Sequence, residues 1–192
     1  MGNVLMHREK TERGAAGNAA GEGGIEYLFR EYHALVFRAA WRITGRVADA
    51  EDVLQTVFLR LVRRGADAGP VADAERFLRR AAVNAALDVL RARRVAREVP
   101  AESVAPLAAG SGGSPERAFS SGEIREWLRA ALARLNPRAA EIFALRFFEG
   151  KENPEIAAAV GTTPGTVAVT LHRARQRLLD EFREWMGERH EA

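Results

Sequence analysis

Asn153–Leu178 reads NPEIAAAVGTTPGTVAVTLHRARQRL, and the order of its apolar and polar positions decides how the carboxyl-terminal half folds. Ile156, Ala157 and Val160 share one face of a short helix, Gly161 follows, and a second helix is predicted after the polar Thr162-Thr163-Pro164-Gly165 turn. Two helices that cross steeply need a small residue at the crossing and a corner residue able to take positive φ, roles that Ala157 and Gly161 fit. In the second helix Val167, Leu171, Ala174 and Leu178 recur at intervals of four, three and four, which makes one apolar stripe for docking. Thr166, Thr170, Arg173, Gln176 and Arg177 then point outward, a composition suited to a groove lined with phosphates. An ordinary helical hairpin with a solvated basic face satisfies the same pattern, so the surrounding chain has to decide between them.

Upstream, the periodicity stays helical. Ile25, Leu28, Phe29, Tyr32, Leu35, Val36, Ala39, Ala40 and Ile43 recur every three or four residues and predict a long amphipathic helix ending near Gly45. A second helix starts around Val47, with Ala50, Val53, Leu54, Val57, Phe58 and Leu61 on one face and acidic residues in its first turns, where the helix dipole favours them. Gly69 and Pro70 break the chain before a third helix from about Asp73 to Arg97. Residues 98–120 contain Pro100, Pro106, Pro115 and a Gly/Ser run, the composition of a flexible linker. Beyond it, Ile124, Leu128, Ala131, Leu132 and Leu135 mark one helix, and Ile142, Phe143, Leu145 and Phe147 another after Asn136-Pro137. The expected architecture is all-α: a three-helix bundle over 25–97 and a helix-turn-helix domain over 121–185, joined by the linker, with a disordered tail at 1–24 and a short tail at 186–192.

Composition narrows the function. The chain has 192 residues, 47% of them hydrophobic, enough for two small cores. It has no cysteine, which removes disulfide frameworks, thiolate zinc sites and cysteine nucleophiles together. His7, His33, His172 and His190 are scattered without metal-ligand spacing, and no serine sits in a nucleophile elbow. The expectation is therefore a protein that is not an enzyme and needs neither metal nor cofactor. No apolar run is long enough to span a membrane, and the amino terminus lacks the apolar core of a signal peptide; a soluble cytoplasmic protein is expected. Net charge is only +3 while the pI is about 9.9, so the placement of the arginines matters more than their sum.

Two patches stand out. On the second helix Asp52, Gln55, Thr56 and Leu59 share the face opposite the core, with Glu51 beside them. A solvated helix face accounts for this, as does a contact with a basic protein partner. On the third helix Arg76, Arg79, Arg80, Arg91, Arg93, Arg94 and Arg97 outnumber Glu75, Asp88 and Glu98, a local positive field that attracts a phosphate backbone. Asn84 lies between these arginines, placed either for a base edge or for a helix-to-helix hydrogen bond.

Three segments together resemble the extracytoplasmic-function group of bacterial sigma factors. DAEDVLQTVFLRLVRR from Asp49 is similar to that family's region-two signature, FLRRAAVNAALDVLRARR from Phe77 to its promoter-melting helix, and LARLNPRAAEIFALRFFEGKENPEIAAAVGTTPGTVAVTLHRAR from Leu132 to its region four. The resemblance implies that Asp49, Glu51, Asp52, Gln55, Thr56 and Leu59 grip the basic coiled coil of the β′ clamp of core RNA polymerase, with the β flap as a further contact. It implies that the Arg63 to Asp73 loop, together with Arg76, Arg80, Asn84, Asp88, Arg91, Arg93 and Arg94, captures and melts the minus-ten element. Region four would read the minus-thirty-five element through Thr163, Thr166, Ala168, Val169, Thr170, Arg173 and Arg177. An anti-sigma factor is the expected regulator. The chain departs from the family where Ala168, Val169 and Thr170 replace more polar residues, where Thr162 replaces an aliphatic one, and where Arg76-Phe77 stands for the usual Trp-Leu. Two other functions fit the residues: a stand-alone helix-turn-helix repressor, and a degenerate sigma-like module that binds polymerase or an anti-sigma factor without reading promoters.

Overall fold

The computed structural model describes residues 22–64, 73–98 and 120–190. The amino-terminal tail up to residue 21, most of the Arg63 to Asp73 loop, the linker from 99 to 119 and residues 191–192 lie outside them. Seven helices form among the described residues: α1 (Glu22–Thr44), α2 (Val47–Arg64), α3 (Ala74–Glu98), α4 (Ser121–Arg134), α5 (Pro137–Phe147), α6 (Asn153–Val160) and α7 (Pro164–His190). The fold is all-α.

Helices α1, α2 and α3 pack on one another as the first bundle. Its core is the apolar stripe of each helix: Leu28, Val36 and Ile43 of α1, Val53 and Val57 of α2, Leu78, Val83 and Leu87 of α3. Each such side chain contributes about 1.5–3 kcal/mol on burial. Gly45 takes φ +71 between α1 and α2 and donates its N–H to the Trp41 carbonyl at 2.8 Å, which lets the chain turn without a gap in the helix hydrogen bonding. Phe29, expected in the core stripe, is 45% exposed. It lies edge-on to Phe58 and stacks on His33, because Leu28, one position earlier, already fills the inward direction of that turn.

The second bundle is capped by its own sequence. Ser120 and Glu123 close a capping box at the start of α4, Asn136 caps α5 ahead of Pro137, and Glu152 with Glu155 does the same for α6. These pairings satisfy N–H groups that a helix start leaves without partners. Gly161 ends α6 at φ 70 and ψ 57, as the corner requires, and Ala157 is buried beneath it. Helix α7 begins at Pro164, earlier than the sequence suggested. Thr163 Oγ1 accepts from the Thr166 N–H at 3.2 Å, and proline at the first helical position has no N–H to satisfy. The helix continues to His190, through residues read from the sequence as a tail, since Phe182 and Trp185 pack against Trp127 of α4.

The two bundles are not separate. Helix α3 also packs against α4, α5 and α6, and the buried apolar residues of both halves form one continuous cluster.

Candidate nucleic-acid interface

The outward face of α7 keeps the residues the sequence placed there except Thr170, which is half-buried. Val167, Leu171, Ala174 and Leu178 are buried, whereas Thr163, Thr166, Ala168, Val169, Arg173, Gln176 and Arg177 are exposed. Several of the polar groups are already engaged. The hydroxyls of Thr163 and Thr166 lie 2.9 Å apart, and the Thr170 hydroxyl donates to the Thr166 carbonyl at 2.8 Å. Arg177 Nε donates to Glu181 at 2.9 Å, and Arg134 of α4 reaches the same carboxylate at 2.7 Å. Partial burial pushes the Glu181 carboxyl up, yet the hydrogen bonds from Arg134 and Arg177 outweigh it and leave the pKa below its ordinary value. Arg173 is exposed, one turn before Arg177 on the same helix.

On α2 the structure splits the acidic group. Glu51, Asp52, Gln55 and Leu59 are exposed and Thr56 is half-buried. Asp49 is not on that surface: its side chain is 12% exposed and pairs with Arg93 of α3. Asp49 thus fastens α2 to α3, and Arg93 is the cation that does so. The physical reason lies in the first turn of α2, where Asp49 and the adjacent core residue Ala50 are both buried.

The arginines of α3 are likewise less available than their number suggests. Arg76 lies 3.5 Å from Asp73, and Arg91 donates to Asp88 at 2.9 Å. Arg80 Nε donates to Glu141 of α5 at 2.6 Å, and Asn84 Nδ2 donates to the same oxygen at 3.0 Å. Both members of the pair most suited to a base edge therefore meet one carboxylate. Glu141 also accepts from Arg138 at 3.2 Å. Arg79 pairs with Glu75 at 2.6 Å and with Glu149. Burial disfavours the charged Arg79, but the hydrogen bonds it donates to the carboxylates of Glu75 and Glu149 raise its pKa above the ordinary arginine value. Arg94 lines a small cavity of about 200 Å³ with Leu90, Arg97, Glu126 and Arg129 at the junction of α3 and α4.

Glu141 and Glu149 carry no role in the sequence reading. Their signal was a carboxylate set among apolar residues: Glu141 sits between Ala140 and Ile142, both buried. A buried carboxylate demands a cation, and the arginine-rich third helix supplies Arg80 to Glu141 and Arg79 to Glu149. Among the described residues, no group of histidines and carboxylates could hold a metal ion, and no helix is long and apolar enough to cross a membrane.

Comparison with known proteins gives this geometry a family. Sigma-70 region 2 matches residues 28–95, which cover α1 to α3 apart from their outermost residues, and Sigma-70 region 4 matches residues 125–178. The chain is 33% identical over 167 residues to the ECF RNA polymerase sigma factor SigE of Mycolicibacterium smegmatis, spanning 86% of this chain and 64% of that protein. It is 35% identical over 157 residues to the RNA polymerase sigma-E factor of Streptomyces avermitilis, spanning 82% of this chain and 83% of the relative. Among solved structures, CnrH in complex with the cytosolic domain of CnrY is similar over 90% of this chain and 97% of that chain, with a TM-score of 0.53 and 21% identity, a likeness of fold.

Proposed function

This chain belongs to the extracytoplasmic-function group of the sigma-70 family, the promoter-specificity subunits of RNA polymerase, and we propose how its residues divide that work. The α2 face of exposed Glu51, Asp52, Gln55 and Leu59 with half-buried Thr56 docks on the basic coiled coil of the β′ clamp, an acidic and amide patch with one apolar anchor. The second bundle takes the β flap. Arg76, Arg80, Asn84, Asp88, Arg91 and Arg94 on α3 hold the minus-ten element. Unstacking a base costs a few kcal/mol, which a base pocket and backbone contacts offset, so the chain needs no covalent chemistry of its own. The exposed face of α7, from Thr163 to Arg177, enters the major groove of the minus-thirty-five element. Two modest contacts on one chain reinforce each other through effective concentration.

The observation that carries this reading is the order of the two family regions along the chain, region two over residues 28–95 and then region four over residues 125–178, with the exposed face of α7 within the second. Its setting is the cytoplasm, and its regulator an anti-sigma factor. The similar fold of CnrH, solved with the cytosolic domain of CnrY on it, supports a protein partner of that kind.

A second reading is favoured by α7 itself. Ala168 and Val169 present no hydrogen-bonding side chain, and the Thr170 hydroxyl is spent within its own helix. Such a face reads thymine methyls or groove shape, or it reads nothing. The test is to add the protein to sigma-free core polymerase with fragmented genomic DNA and map transcript 5′ ends. Discrete starts that share two upstream elements are expected. A stable complex with core that yields no starts would establish the degenerate interaction module instead.

A further inference from the structure

A cavity of about 760 Å³ opens where the end of α1 meets α4 and the end of α5, a size that suits a small organic ligand. Trp41 and Arg42 of α1, Arg125 and Arg129 of α4, and Phe147 with Phe148 at the end of α5 line it. Trp41 is 49% exposed and Phe147 50%, so two large aromatic side chains border one cavity without being covered, a surface fit for a planar group. Around them stand three guanidiniums and a single carboxylate, Glu126. Two of the cations are held in place. Arg129 Nε donates to the Ile43 carbonyl at 3.2 Å and its Nη1 to Glu126 at 2.8 Å, and Arg42 Nη1 donates to Glu149 at 3.1 Å and to the Phe148 carbonyl at 3.4 Å. These bonds use neither Nη2 group. The Arg129 guanidinium lies over Gly45, where a Cβ would overlap it, so the glycine is what lets that cation reach the cavity. Arg125 is exposed and has no carboxylate partner among the described residues.

We propose that this cavity binds a purine nucleotide, a nucleoside di- or triphosphate whose base packs on Trp41 and Phe147 and whose phosphates take Arg42, Arg125 and Arg129. Stacking of a base on an aromatic ring and charge-assisted hydrogen bonds to phosphate oxygens are independent sources of affinity, and this lining supplies both. Arginine is the cation suited to the second role, because its planar fork of N–H groups matches phosphate oxygens. An inorganic phosphate leaves the rings uncovered, and a bare nucleoside leaves the guanidiniums without anions. Only the joined ligand uses the whole lining. None of these residues is assigned above to promoter DNA or to the β′ clamp, so the site stands apart from those contacts.

The test is calorimetric titration of the full chain with ATP, with adenosine and with inorganic tripolyphosphate. ATP should bind about tenfold or more tightly than either fragment and should quench tryptophan emission. Trp41→Ala and Arg125→Glu should each weaken ATP by about tenfold or more, while Arg60→Ala, at an exposed arginine of α2 outside the cavity, should leave the affinity unchanged. Trp41→Phe should keep most of the affinity and abolish the quenching, a result that a merely structural role for Trp41 does not give. Circular dichroism shows that each variant is folded. Tripolyphosphate that binds as tightly as ATP, or an ATP affinity that neither Trp41→Ala nor Arg125→Glu changes, overturns the site and leaves only the attraction of a basic chain for anions. Absence of ATP binding overturns it as well. A single-stranded DNA oligonucleotide that displaces ATP at a lower concentration of nucleotide also overturns it, since the cavity then takes a strand.

Discussion

Helices α3 and α7 both carry arginines toward expected DNA, yet the two faces stand in different states. On α7 the outward residues meet solvent, and the pairing that does occur is mostly local, as between Arg177 and Glu181. On α3 the cations are met from elsewhere in the chain: Arg80 by Glu141, Arg79 by Glu149, Arg93 by Asp49. An arginine count therefore measures a helix's capacity for phosphate, while its availability is set by what packs against it. The local positive field read from α3 is in large part an internal one.

The sharpest way to break this comparison is within the acidic residues of α2. Asp49→Ala leaves Arg93 facing α2 without its carboxylate and should cost about 3 kcal/mol of stability, measured by urea denaturation. Asp52→Arg, on the exposed face, should leave the transition within about 0.5 kcal/mol of wild type while core polymerase no longer binds in a pull-down. Equal losses of stability would mean the two carboxylates are not in the different environments described.

A second contrast sets α3 directly against α7. Arg80→Ala takes one of three donors from the nearly buried Glu141 and should cost about 2 kcal/mol in the same denaturation. Arg173→Ala should change stability by less than about 0.5 kcal/mol and instead lower the salt dependence of duplex binding by about one phosphate contact. Smaller again is the corner of the helix-turn-helix. At Gly161 a Cβ meets open space, so Gly161→Ala should cost only the left-handed backbone term, about 1 kcal/mol, seen as a modest fall in melting temperature. The smallest effect is that of pH on α7. Glu181 has a folded pKa below its ordinary value of 4.5, so its contribution is complete above that value and is lost as pH falls through the lowered one. The melting-temperature gap between wild type and Glu181→Gln should accordingly narrow below pH 4.5.

The sequence showed most where the physics is local. The stripe Val167, Leu171, Ala174 and Leu178 is buried as its spacing requires, and Gly161 takes the positive φ that its place between two helices implied. It misled where two inward directions competed, as at Phe29 beside Leu28. It also ended α7 too soon, at the start of the tail read over 186–192, while the packing of Phe182 and Trp185 on Trp127 accompanies a helix that runs to His190.

What the sequence by itself determined is the all-α class, the helix boundaries to within a few residues, the helix-turn-helix corner and the family. Each follows from spacing within a turn or two, where backbone geometry converts sequence distance into direction. Only the tertiary structure decided that Asp49 lies inside, that Glu141 and Glu149 meet the arginines of the first bundle, and that the two bundles share one apolar cluster. Arg80 and Glu141 are separated by 61 positions, and no periodicity extends that far. Which buried charge finds which partner is settled when helices pack, since a carboxylate leaving water must take whichever cation the fold brings to it.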